Sequence, residues 1–162
     1  MTVPAQFLLN VFIAILWMLL MDEDEIRVGT FITGFIIGAF IIFFMHRFFG
    51  QQFYLRRVIM AIKLVLIFIS EIFQSSILVL KQILDPRLNL TPGIFKFETV
   101  LESAGEVTTL SLLLTLTPGS VVMEVSPEGN VLYIHAIDVE NSKEFLINSL
   151  NKFEKAIMEV TR

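Results

Sequence analysis

Long apolar runs fill the first half of the chain, and short alternating ones fill the second. The first run, Phe7 to Met21, reads FLLNVFIAILWMLLM, and Asn10 is its one strongly polar member. The second, Val28 to Met45, reads VGTFITGFIIGAFIIFFM and carries no charge. A helix crosses a bilayer with about 20 predominantly apolar residues, range roughly 17–25. Both runs therefore predict membrane helices, over residues 5–21 and 28–45. A cleaved signal peptide competes for the first run, but it calls for a basic start and a small-residue cleavage site. Here MTVPAQ precedes the run and MDEDEI follows it, which favours a retained span.

The third run predicts a helix over residues 58–82 with a different pattern. At about 100° per residue, Lys63, Ser70, Gln74 and Lys81 fall on one narrow stripe. Glu71, Ser75 and Gln82 widen that stripe on one side, and Ser76 lies opposite. The remaining surface is Ile, Leu, Val and Phe. Three arrangements fit. The helix lies along the inner membrane surface, apolar side down. It spans and packs its polar stripe against protein. Or Lys63 and Glu71 belong to a proton or cation relay, the usual suspicion for ionisable groups within a membrane. Lys63 sits near one end and can extend its ammonium outward. Glu71 sits mid-segment, and one carboxylate is too sparse for a proton path of its own.

Beyond the Asp85-Pro86 step, where proline stops an incoming helix, the pattern becomes that of a small soluble domain. GIFKFETV, residues 93–100, reads as a strand, and GEVTTLSLLLTL, residues 105–116, as a short apolar helix, although its Thr and Val residues also allow a strand. Pro118 and Gly119 end that helix. SVVMEV and VLYIHAI flank SPEGN, residues 126–130, as a hairpin. The last helix has an apolar stripe of Leu146, Leu150, Phe153, Ile157 and Val160, with Asn141 as its expected cap and Glu144 as reciprocal partner. His135 alternates with Tyr133 and Val131 as a sheet-face residue, and Asp138 is placed to fix the turn into the last helix. The predicted architecture is a membrane region over residues 1–84 followed by an α+β domain of order β-α-β-β-α over 85–162.

Composition sharpens this picture. Hydrophobic residues make up 55 % of the 162, and mean hydropathy is +0.76. A net charge of −4 argues against nucleic acid, whose binding rests on Lys and Arg meeting phosphates. The chain has no Cys, which removes disulfides, thiolate metal sites and cysteine nucleophiles. No metal-ligand cluster, phosphate loop or nucleophile elbow is evident, so the chain is expected to be neither an enzyme nor a cofactor carrier. The loops set an orientation. DEDEIR, Asp22 to Arg27, holds four acids and one Arg, whereas HRFFGQQFYLRR, His46 to Arg57, holds three Arg and no acid. The positive-inside rule places the second loop in the cytoplasm, with Phe48, Phe49, Phe53 and Tyr54 suited to the inner headgroup region. Gly34 and Gly38 form a small-xxx-small spacing that lets another helix approach closely; it is expected to receive a small neighbouring membrane subunit.

FYLRR, LTLTPGS, LYIHAIDV and FEKAIMEV together resemble the E subunit of Mrp-type (Mnh-type) multisubunit sodium/proton antiporters. The resemblance covers nearly the whole chain. Its most specific mark is Thr115 to Gly119 with Thr117, Pro118 and Gly119, where Ser120 replaces the usual Thr but keeps the hydroxyl. Its second is Tyr133 to Val139, with His135 and Asp138. The resemblance implies an accessory subunit of a cell-membrane complex that exchanges cytoplasmic Na+ for external H+. Its implied partners are large antiporter-like subunits, small membrane subunits and the lipid bilayer. Na+ and H+ would be carried by the complex rather than bound by this chain, and the C-terminal domain would be cytoplasmic. That last placement favours a third helix that does not cross. Two other readings remain: a homologous subunit of an ion-pumping hydrogenase-type complex, and a free-standing membrane-anchored binding domain. Neighbouring genes would separate the first, and the mass of the chain in mild detergent the second.

Overall fold

The computed structural model describes residues 3–21, 27–49, 54–86 and 90–162, with the side chains of 3 and 46–49 left aside. The acidic loop residues Asp22 to Ile26, and the expected headgroup residues Phe48, Phe49 and Phe53, thus lie outside the described side chains. The elements are α1 (Val3–Leu20), α2 (Val28–Phe49), α3 (Tyr54–Leu84), β1 (Gly93–Glu98), α4 (Ala104–Thr115), β2 (Ser120–Val125), β3 (Val131–Ala136) and α5 (Val139–Thr161). They form two compact units, Met1–Val58 and Ile59–Arg162. The boundary falls inside α3, not at the Asp85-Pro86 step, because most of α3 packs on the C-terminal elements.

In the first unit α1 and α2 pair antiparallel. Both are apolar all round, as helices solvated by hydrocarbon are. By length and composition, α2 over Val28–Met45 and α3 suffice to cross a membrane; α1, over Pro4–Leu20, is a shorter apolar helix. The glycines explain the close approach of α1 and α2. A Cβ on Gly34 would sit 2.7 Å from Trp17 Cβ, and one on Gly38 would overlap Asn10 Oδ1. The small-xxx-small face is therefore occupied by α1 of the same chain. This corrects the expectation that it receives a neighbouring subunit, since a face already closed to a methyl group cannot admit a second helix. Asn10 is fully buried, and its amide nitrogen donates to Tyr54 Oη at 2.5 Å. Tyr54 also donates its backbone N–H to Gln6 Oε1 at 3.1 Å.

In the second unit β1, β3 and β2 form an antiparallel sheet in that order, with a bulge between Val122 and Glu124. Phe95, Phe97, Leu132, Ile134 and Ala136 point to one face and meet Leu110 and Leu114 of α4 and Leu146, Leu150, Phe153 and Ile157 of α5. Val131, Tyr133 and His135 alternate with the core residues and lie half-buried on the other face. Helix α5 lies between the sheet and α3, because Leu64, Ile67 and Phe68 of α3 pack against the same core. Phe68 and Phe153 stack with ring centroids 6.4 Å apart. Helix α5 starts earlier than its apolar stripe suggests. Its N-cap is Asp138, whose carboxylate accepts from the backbone N–H of Asn141. Asn141 is thus the third residue of the helix rather than its cap. The aspartate wins because it closes strand β3 and accepts from several donors at once.

Candidate functional site: the polar seam of the third helix

Every polar group that α3 turns toward the C-terminal domain has a partner on α5, at its start or on α3 itself. Near the N-terminal end of the seam, Lys63 Nζ donates to Glu159 Oε2 at 2.6 Å. In the middle, Glu71 is 2 % exposed. Its Oε1 accepts from Lys152 Nζ at 2.8 Å and its Oε2 from Ser149 Oγ at 2.5 Å. Ser75, one turn on, folds its hydroxyl back onto the Glu71 carbonyl at 2.7 Å, a local bond that satisfies a buried hydroxyl without leaving the helix. At the far end Gln82 Nε2 donates to Asp138 Oδ2 at 3.2 Å and lies 3.3 Å from Ser142 Oγ. Partners along the whole length account for a stripe that would otherwise cost several kcal/mol per group in an apolar setting, in order of magnitude.

Asp138 is the junction of this seam. It is buried, and its Oδ1 accepts from Thr91 Oγ1 at 2.8 Å and from Asn141 N at 3.3 Å. Its Oδ2 accepts from Asn141 Nδ2 at 2.8 Å as well as from Gln82. These bonds to the charged form, the Asn141 side chain first and Thr91 next, hold its carboxyl below the usual aspartate range. One carboxylate thereby ties α3, the approach to β1 and the start of α5 together.

The Thr115 to Ser120 turn closes the same seam from the other side. Thr117 is buried, and its hydroxyl donates to the Leu114 carbonyl at 2.6 Å, taking up one of the orphan carbonyls that end α4. Pro118 has no N–H to leave unpaired. Gly119 has φ +92°, a left-handed backbone that glycine adopts without strain. Its carbonyl accepts from Ile137 N at 3.0 Å. A Cβ at Gly119 would also come within 3.1 Å of Val79 Cγ2 on α3. Gly119 is thus required twice, by the turn and by the helix beside it. Pro118, Gly119, Ile137, Ser142, Val79 and Gln82 all line one small cavity of about 10 Å3, room for about one water.

The sequence-predicted residues therefore separate into three places. Thr117, Pro118, Gly119 and Asp138 gather at the seam with Glu71 and Lys63. Tyr133 and His135 stand on the outer sheet face, where Lys96 Nζ lies 5.4 Å from the Tyr133 ring centre. Gly34 and Gly38 belong to the α1–α2 pair. Among the described residues no group of three His, Asp or Glu side chains could hold a metal ion.

Residues 10–160 match the family model described as Na+/H+ ion antiporter subunit, MNHE. The chain belongs to the MNHE family. Relatives of this family include the E subunit of the Na(+)/H(+) antiporter of Bacillus subtilis (strain 168), 48 % identical over 157 residues, 97 % of this chain and 98 % of that one. In fold, the chain is also similar to one in the membrane-bound sulfane sulfur reductase, an archaeal respiratory membrane complex, with a TM-score of 0.53 and 22 % identity. That likeness covers 94 % of this chain and 96 % of the other. The seam, from Lys63 to Glu159, lies within the residues that match the family model.

Several members of the site escape a reading of the sequence. Ser149 and Lys152 carry no motif; only their position on α5, across from Glu71, reveals them. Glu106 is different. Ser103-x-x-Glu106 is a capping-box pattern, and the structure forms it in both directions. Thr161 Oγ1 also donates to Glu106, and these bonds, that of Thr161 first, lower its carboxyl to about 2. Glu154, also buried, accepts from Thr99 Oγ1 and from Val100 N at 3.1 Å.

Proposed function

We propose that this chain is an accessory, non-catalytic subunit of a multisubunit Na+/proton antiporter, required for assembly or stability of the complex. Family membership over nearly the whole length supports the antiporter. The pairing of Glu71 supports the accessory role. It is a buried carboxylate in the middle of α3, and Lys152 and Ser149 hold it within the chain. A proton-relay group needs an acceptor further along a path; this one ends in a structural ion pair.

The partners are the other subunits of the complex, and Na+ and H+ pass through those. The α1–α2 pair provides the membrane anchor, making the chain an integral component of the cell membrane. The domain that follows α3 lies on the cytoplasmic side, a reading that draws on the exposed Arg56 and Arg57. Two measurements test the proposal. The chain purified alone into liposomes carries out no Na+/H+ exchange, and deleting it lowers exchange by the whole complex. Exchange by the isolated chain would overturn the accessory role. Unchanged exchange after deletion would overturn the requirement.

A further inference from the structure

Helix α3 has a second face that no described residue of the C-terminal domain covers. Ile59, Ile62, Leu66, Ile69, Phe73 and Leu80 are each 43–66 % exposed. At about 100° per residue they share one arc, roughly opposite the docked arc of Leu64, Glu71, Ser75 and Gln82. Lys63, Ser70, Gln74 and Lys81 occupy the flank between the two arcs. We infer that α3 lies in the plane of the membrane, its bare face immersed in the acyl region of an anionic leaflet and its domain held above it in water.

Three observations choose this occupant. First, the C-terminal domain is bonded to α3 from Lys63 to Gln82. That is roughly 28 Å at 1.5 Å per residue, close to the roughly 30 Å hydrocarbon thickness. If α3 crossed, the domain would be carried into hydrocarbon along with the exposed charges of Glu140, Lys143, Lys152 and Lys155, where each is costly. Second, the bare face is built of Ile, Leu, Val and Phe. Ser76 is its one small residue, whereas helix partners in membranes meet through small residues. The α1–α2 pair in this same chain follows that rule with Ala14, Gly34 and Gly38. Third, the flanking cation Lys81, with Arg56 and Arg57 earlier in sequence, suits anionic headgroups, and α3 is amphipathic where α1 and α2 are not.

The inference rests on membrane anchoring by α1 and α2 but not on antiport. It is tested with the full chain in vesicles of zwitterionic and anionic phosphoglycerides. The chain contains no Cys, so single nitroxide labels can be placed without background. Labels at Ile62, Ile69 and Leu80 should report one common shallow depth, about 5–10 Å below the headgroup boundary, although 62 and 80 are roughly 27 Å apart along the helix. Labels at Ser70 and Gln74 should remain open to a water-soluble relaxant. A depth that peaks between 62 and 80 and falls at both ends would mean a crossing helix. Labels shielded from both oxygen and the soluble relaxant would mean a protein occupant. Either result overturns the inference. Exchange by the complex carrying the same variants reports separately on the subunit's role.

Discussion

Asp138 accepts four hydrogen bonds and caps a helix, so its removal is expected to be costly. Asp138→Ala loses the cap, worth about 1 kcal/mol, and leaves Thr91 and Gln82 short of an acceptor, about 1–3 kcal/mol more. Equilibrium unfolding of the detergent-solubilised chain should record a loss of about 2–4 kcal/mol, while Asp138→Asn, which keeps an acceptor oxygen, should lose less. The pH dependence has a definite sign. Asp138 and Glu106 both have folded pKa values below their unfolded ones, the latter about 2 against an ordinary value of 4.5. Their contribution is complete above the unfolded values and is lost as pH falls through the folded ones. Stability should therefore decline between about pH 4.5 and 2, and Glu106→Gln should flatten that limb without changing the slope near neutrality. A limb of equal steepness in the variant would assign the acid sensitivity elsewhere.

Among the helices, the glycines make a matched comparison. Gly38 meets Asn10 and Ile13, whereas a Cβ on Gly29 would meet nothing within 4 Å. Gly38→Ala should force α1 and α2 apart, and Gly29→Ala should be neutral or slightly stabilising, since alanine favours a helix by up to about 1 kcal/mol over glycine. Proximity labelling between cysteines placed on α1 and α2 would register the separation. The same elements define what can be read from the chain. Unbroken apolar length suffices for the two apolar helices, and hydrophobic periodicity for the strands around SPEGN and the apolar stripe of α5, where burial of one face imposes a period. It misjudges α3. Lys63, Ser70, Gln74 and Lys81 mark the centre of its polar face by sequence, yet they form a flank, and the docked face is centred near Glu71. Leu64, Phe68 and Leu78 cause the error: an aliphatic or aromatic side chain reads the same whether it meets lipid or a protein core. Glu71 is marked by its isolation, but nothing local announces Lys152, 81 residues away. The Thr117-Pro118-Gly119 turn is legible as a breaker, while its contact with Val79 depends on a helix nearly 40 residues upstream.

For the molecule as a whole, the seam makes α3 and the C-terminal domain one body, and the ion pair at Glu71 is part of what holds them together. Lys152 is half-exposed, so the attraction between the two charges is partly screened and worth about 1 kcal/mol. Reversing the buried partner is another matter, because Glu71→Lys brings two cations together where one is desolvated, a penalty of several kcal/mol. That variant should weaken the hold of the domain on α3 and reduce the amount of this subunit recovered with its partners from membranes. Lys152→Glu alone should be milder, since its new carboxylate can turn toward water. The double reversal should recover part of the loss, as opposite charges again face each other with Ser149 beside them. If the subunit serves assembly, Na+/H+ exchange per assembled complex should stay constant across all three variants while total exchange follows the quantity assembled. A fall in exchange per assembled complex, with assembly intact, would instead mean that Glu71 takes part in moving protons.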